Sequence, residues 1–217
     1  MEMTMSDLLT YQATQNYLAT LVPPREMELQ EMEAYAAKHD FPIIGPACGY
    51  YCYQLARMIH ARSIFELGSG YGYSTAWFAK ALRENGGGVV HHTVWDEELS
   101  NRARRHLVKM GFADLVQFHM AEAIETLRQT DGPFDIIFND IDKHAYPESL
   151  PVIKEKLRSG GLLIIDNMLW HGRIFDKKDV SPATMGVHEF TKQITSDSDW
   201  IVSLTPMRDG MIVAYKR

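Results

Sequence analysis

The spacing of apolar residues changes character along the chain. From residue 6 to about 60 it recurs every three to four positions, which predicts helices over 6–21, 26–38 and about 49–60. Ser6 and Asp7 are candidate caps for the first helix, Pro23-Pro24 separates the first two, and 41–48 (FPIIGPAC) reads as a loop. From residue 63 onward short apolar runs alternate with helical stretches. The runs predict strands at 63–67, 89–95, 115–120, 134–139 and 162–165, and the intervening stretches predict helices at 73–84, 97–110, 121–129 and 146–157. Ser159-Gly160-Gly161 closes the last of these, and 166–182 reads as a loop. A helix at 184–196 follows, and two strands at 200–205 and 211–215 flank Met207-Arg208-Asp209-Gly210, a D-G hairpin signal.

Strands that alternate with helices predict an α/β fold with a mostly parallel sheet, right-handed crossovers and helices on both faces. The closing hairpin adds an antiparallel strand, giving seven strands in a Rossmann-like plan. We read 1–217 as one domain, with 1–60 a helical N-terminal extension and 61–217 the Rossmann-like core.

Composition narrows the class. The 217 residues are 46% hydrophobic and 23% charged, globular values, and a net charge of −6 without a basic block argues against nucleic acid as a partner. No apolar stretch approaches the roughly 20 residues that span a bilayer, and MEMTMSDLLTYQ has no basic n-region. The expectation is a cytoplasmic protein with no membrane partner. Cys48 and Cys52, four residues apart, read as buried thiols. Met and aromatic residues in the helical N-terminus suggest a homodimer.

The candidate chemistry lies at the carboxyl ends of the strands, where open α/β sheets bind ligands. The first strand runs into Glu66, then Gly68-Ser69-Gly70-Tyr71-Gly72, then a helix with Ser74 in its first turn. Tyr73 stands where a dinucleotide fingerprint requires its third glycine. G-x-G-x-G after an acidic residue is the usual first motif of S-adenosylmethionine (SAM) methyltransferases. Gly68, Gly70 and Gly72 are therefore candidate cofactor contacts. Asp96, past the second strand, suits a ribose diol, because a carboxylate accepts two O–H donors; its alternative role is to cap the following helix. Past the fourth and fifth strands come Asp140, then Asp166-Asn167. These are three hard oxygen donors, a set suited to Mg²⁺. Lys143, three residues after Asp140, is a candidate general base. Tyr71, Tyr146, Trp170 and the stretch 168–180 are candidates for an aromatic substrate wall and lid.

At FELGSGYGYS (65–74), FDIIFNDIDKHAY (134–146), GGLLIIDNMLWHGRI (160–174) and RDGMIVAYKR (208–217) the sequence resembles the metal-dependent O-methyltransferases of the catechol and caffeoyl-CoA type. The resemblance implies Asp140, Asp166 and Asn167 as metal ligands and Lys143 as general base. It implies Gly68, Ser74, Asp96, Ala123 and Asp140 around the SAM site, with Glu66 near the methionine end. It further implies a small aromatic diol as acceptor and a divalent metal, Mg²⁺, beside SAM. Three departures stand out. HHTVWDEEL replaces the family's I-E-I-x-P run, Ala121-Glu122-Ala123 replaces G-D-A, and Thr191 replaces an Asn of the last helix. A metal-independent SAM methyltransferase acting on another O or N acceptor is the competing reading.

Overall fold

The computed structural model describes residues 5–217, with side chains from residue 10 onward, so the Ser6–Asp7 cap lies outside the described side chains. Seven strands form one sheet in the order β3-β2-β1-β4-β5-β7-β6. They are β1 (Ser63–Leu67), β2 (Val89–Thr93), β3 (Val116–His119), β4 (Phe134–Asn139), β5 (Leu157–Ile165), β6 (Trp200–Thr205) and β7 (Met211–Lys216). β1 to β5 pair in parallel, while β7 is antiparallel to both β5 and β6. Among the described residues eight α-helices accompany them: α1 (Met5–Thr20), α2 (Met27–His39), α3 (Gly45–Met58), α4 (Tyr73–Glu84), α5 (Glu97–Lys109), α6 (Ala123–Gln129), α7 (Tyr146–Lys156) and α8 (Pro182–Ser196).

The period-2 alternation of the strands builds two cores. Ile64, Val90, Ile136, Phe138 and Ile164 face α2 to α5, whereas Phe65, Leu67, Ile137, Leu163 and Ile165 face α6 to α8. Cys48 and Cys52 lie in the first core as free, buried thiols. Among the described residues no helix is long and apolar enough to cross a membrane.

Two elements begin four or more residues earlier than the sequence expectation. Helix α3 begins at Gly45 rather than about residue 49, because Pro46 sits in its first turn, where a missing N–H breaks no helical bond. Strand β5 begins at Leu157 rather than 162. Leu157 pairs with Phe134, and pairing resumes at Leu162 with Ile136, so Arg158 to Gly161 forms an irregularity inside the strand.

The alternation also sends the consecutive histidines of β2 to opposite faces. His91 stacks on Phe65 and meets His119 with Nδ1 and Nε2 3.0 Å apart. His92 points under α4, its Nδ1 3.0 Å from Thr75 Oγ1. Burial holds both rings well below their ordinary pKa of 6.5, His91 at about 4 and His92 at about 3. An unfolded chain would protonate them near 6.5, so each removes stability as the pH falls below that value. Glu66 acts in the opposite sense. Burial raises its carboxyl from 4.5 to about 7, and its contribution is lost as the pH rises through that window. For His91 the loss between pH 6.5 and 4 amounts to at most about 3 kcal/mol. Urea melts at several pH values should therefore show His91→Gln losing less stability than wild type across this window; equal slopes would refute the assignment.

Candidate active site

The parallel ladder continues one residue past the central strands. Asp140 N–H donates to Leu67 O at 2.9 Å, and Asp166 N–H donates to Asn139 O at 3.2 Å. This fixes both acids side by side at the carboxyl ends of β4 and β5. Tyr146, from the start of α7, braces the pair from below by donating its hydroxyl to Asp166 O at 2.9 Å. Asp166 is 3% exposed and its Oδ1 has no hydrogen-bond partner. Burial, then the neighbouring Asp140 charge, pushes its carboxyl up to about 7.

A single 3₁₀ turn, Lys143–Ala145, follows β4 and returns Lys143 over the acids. Its ammonium donates to Asp140 Oδ1 at 2.7 Å and to Ile141 O at 3.2 Å. It lies 5.1 Å from the Tyr146 ring centroid and 5.9 Å from that of Trp170. Only 8% of its side chain is exposed. A lone ammonium would not be buried there without the carboxylate and the two ring faces.

After β5 the chain turns sharply. Asn167, Trp170 and His171 all adopt positive φ, at 58°, 47° and 53°. Asn167 Nδ2 donates to Asp209 Oδ2 at 3.2 Å, which leaves its amide oxygen free. No group of three His, Cys, Asp or Glu among the described residues is arranged to hold an ion. Asp140, Asp166 and this amide oxygen are the oxygen donors at this end of the sheet that could hold an ion.

The glycine turn lies beside the acids. Gly68, Gly70 and Gly72 all have positive φ. At Gly68 the reason is contact as well as conformation, because a Cβ there would stand 2.6 Å from Asp140 O. Ser69 and Thr93 lace the turn to β2: Ser69 N–H donates to Thr93 O and Thr93 N–H to Ser69 Oγ, both at 2.9 Å. Glu66 is fully buried, accepts from Thr75 Oγ1, and leaves Oε1 without a partner.

A family model described as O-methyltransferase matches residues 23–217. The chain belongs to the O-methyltransferase family. It is 28% identical over 215 residues to the catechol O-methyltransferase of Niastella koreensis, covering 94% of this chain and 96% of that protein. It is 29% identical over 217 residues to caffeoyl-CoA O-methyltransferase 1 of Eucalyptus globulus, with 93% and 87% covered. Among solved structures it resembles the O-methyltransferase from Bacillus cereus in complex with SAH: TM-score 0.86, 26% identity, and 97% and 100% of the two chains covered. It also resembles TomG from Streptomyces achromogenes in complex with SAM: TM-score 0.85, 25% identity, and 99% of each chain covered. The protein is therefore an enzyme, a SAM-dependent O-methyltransferase.

Within this methyltransferase most sequence candidates come to one end of the sheet. Ser74 is buried in the first turn of α4, on the Glu66 side, and its hydroxyl lowers the Glu66 carboxyl pKa against the effect of burial. Ala123 opens α6, capped by Glu122, whose two oxygens accept from Ile124 N–H at 2.9 Å and Glu125 N–H at 2.6 Å. Asp96 caps α5, its Oδ1 accepting from Leu99 N–H at 2.8 Å, so one carboxylate oxygen remains for a ligand. Two of the wall candidates are corrected. Tyr71 is 1% exposed and donates to Met32 O at 2.9 Å beneath α2, and Tyr146 is 0% exposed. Their rings complete cores, and Trp170, half-buried, is the remaining wall candidate. Sequence reasoning missed Asp209, whose D-G step explained itself as a turn. It also missed Trp95 and Met120, which stand 72% and 59% exposed just past β2 and β3.

Helix α8 holds the lysine turn from outside. A Cβ on Gly186 would lie 2.2 Å from Lys143 O and 2.9 Å from His144 Cα. Gly186→Ala should displace that turn, lower stability by about 1–3 kcal/mol and reduce kcat with little change in KM for SAM. A thermal melt and steady-state assay indistinguishable from wild type would refute this packing role.

Proposed function

We propose that the enzyme transfers the methyl group of SAM to one hydroxyl of a vicinal aromatic diol. Asp140, Asp166 and Asn167 would hold a divalent ion, Mg²⁺ by the chemistry of three oxygen donors. The observation that carries this reading is the pairing of Lys143 Nζ with Asp140 Oδ1 at 2.7 Å beside an Asp166 Oδ1 that is buried without a partner. Two adjoining carboxylates and a free amide oxygen fit a hard dication.

When bound, such an ion would polarise the acceptor hydroxyls and steady the oxyanion. The remaining work belongs to the chain. Lys143 is the residue placed to receive the proton that the attacking hydroxyl releases, and Asp140 and Ile141 O hold its nitrogen at the acids. The acceptor oxygen then forms its bond to the methyl carbon as the carbon–sulfur bond breaks, leaving a neutral thioether. Trp170 supplies an aromatic face for the diol ring, and the unpartnered Glu66 Oε1 suits the ammonium of the methionine end. Asp96 keeps one oxygen for the ribose, while Gly68 and Ser74 border the same turn. Most of the acceleration comes from alignment of two reactants that are already reactive.

The Lys143–Asp140 ion pair also satisfies both groups without a metal, which favours a metal-independent enzyme with another O or N acceptor as the second reading. Methyl transfer to a panel of vicinal aromatic diols, with Mg²⁺ and with excess chelator, separates the two. Transfer should vanish on chelation and return with Mg²⁺; chelator-insensitive transfer would sink the metal reading. Lys143→Ala should lower kcat on the order of 10²–10⁴-fold while KM for SAM changes little. Parallel loss of SAM affinity would refute the base role. Asp166→Ala should abolish the metal-dependent rate, and its retention would refute the ligand assignment.

A further inference from the structure

Asp209 belongs to none of the roles above, yet it is the most connected side chain around Asn167. It lies in the turn between β6 and β7, and its side chain is 12% exposed. Oδ2 accepts from Asn167 Nδ2 at 3.2 Å, and Oδ1 accepts from His171 N–H at 2.6 Å. Its carbonyl accepts from Leu169 N–H at 2.7 Å, and the next carbonyl, of Gly210, accepts from Met168 N–H at 2.9 Å. One turn thus receives four donors from residues 167–171.

That segment is the part of the site least able to hold itself. Three of its residues sit in the left-handed region, where a side chain costs about 1 kcal/mol or more. A carboxylate that accepts two of its N–H groups offsets this with charge-assisted bonds. The approach is close as well: a Cβ on Gly210 would lie 2.5 Å from Leu169 Cγ and 3.0 Å from Leu169 N.

The turn is in turn held from its other side. Gln15 Oε1 in α1 accepts from Arg208 N–H at 2.7 Å, and Tyr11 donates its hydroxyl to Arg208 O. Arg208 donates to Ile43 O ahead of α3. Asp209 is therefore anchored by α1 and the α2–α3 loop rather than by the hairpin alone.

We propose that Asp209 is the positioning residue for Asn167: it fixes which end of the amide faces Asp166 and couples that choice to the Trp170 segment. An amide can rotate by half a turn at little steric cost, and only one orientation offers oxygen to a cation. A carboxylate can only accept, so it captures the NH₂ end and turns the oxygen outward. This inference rests on the metal reading above. It adds that the third donor is selected from outside the ligand set.

Mn²⁺ titration followed by electron paramagnetic resonance, with SAH affinity from calorimetry alongside, tests it. Asp209→Ala should weaken Mn²⁺ binding by about 10–100-fold and leave SAH affinity within about twofold of wild type. Asp209→Asn, of the same shape with a single accepting oxygen, should recover part of the loss, and it serves as the variant if the alanine form folds poorly. Wild-type Mn²⁺ affinity in both variants would overturn the positioning role, as would equal loss of SAH and Mn²⁺. If wild-type protein itself binds no Mn²⁺, or Asp166→Ala binds it unchanged, the metal reading falls and takes this inference with it. Tight binding by wild type and by Asp209→Ala refutes only the inference.

Discussion

Two carboxylates are held side by side, Asp166 almost wholly buried and Asp140 half-buried. The rest of the site answers that constraint. The sheet imposes it, because the bonds from Asp140 to Leu67 and from Asp166 to Asn139 extend the ladder beyond the strands proper. Like charges in low dielectric repel strongly unless a cation or a proton relieves them. The protein relieves Asp140 with Lys143, itself half-wrapped by two aromatic rings. It leaves Asp166 with an oxygen that has no hydrogen-bond partner among the described residues. Such an orphan is costly in a finished core and reasonable where a ligand completes the set.

The glycine turn, the lysine turn and the loop after β5 are three strands' worth of connections packed against one another. Their tolerances are set by backbone: Gly68 meets Asp140 O, Gly186 meets Lys143 O and Gly210 meets Leu169 N. Each contact admits hydrogen and excludes a methyl group. Rigidity at the site therefore follows from where the chain has no side chain as much as from where it has one.

Much of this was legible in the sequence because the signals are local. Acids that directly follow apolar runs, as Asp140 and Asp166 do, announce strand ends, and alternating periods announce the parallel sheet. What escaped reading has physical reasons. Arg158 to Gly161 looks like a breaker, yet β4 pairs with Leu157 before it and with Leu162 after it, so the strand absorbs the irregularity. Pro46 looks like loop but is tolerated in a helix's first turn. Tyr71 and Tyr146 look like wall residues because exposure does not show in residue type. Their hydroxyls find carbonyls, so whole rings can be buried. Asp209 was hidden by sufficiency: a D-G step needs no further explanation than the hairpin it makes.

The bond between Tyr11 and Arg208 spans 197 positions of sequence. A chain emerging from the ribosome presents β1 to β5, and with them both carboxylates, well before residues 208–210 exist. Parallel strands can already pair at that stage, but Asn167 lacks its Asp209 partner, and α1 lacks the Arg208 turn that it holds through Tyr11 and Gln15. Bracing of this segment thus comes after the parallel strands are all present. The brace on the segment after β5 is complete only once these two distant segments meet.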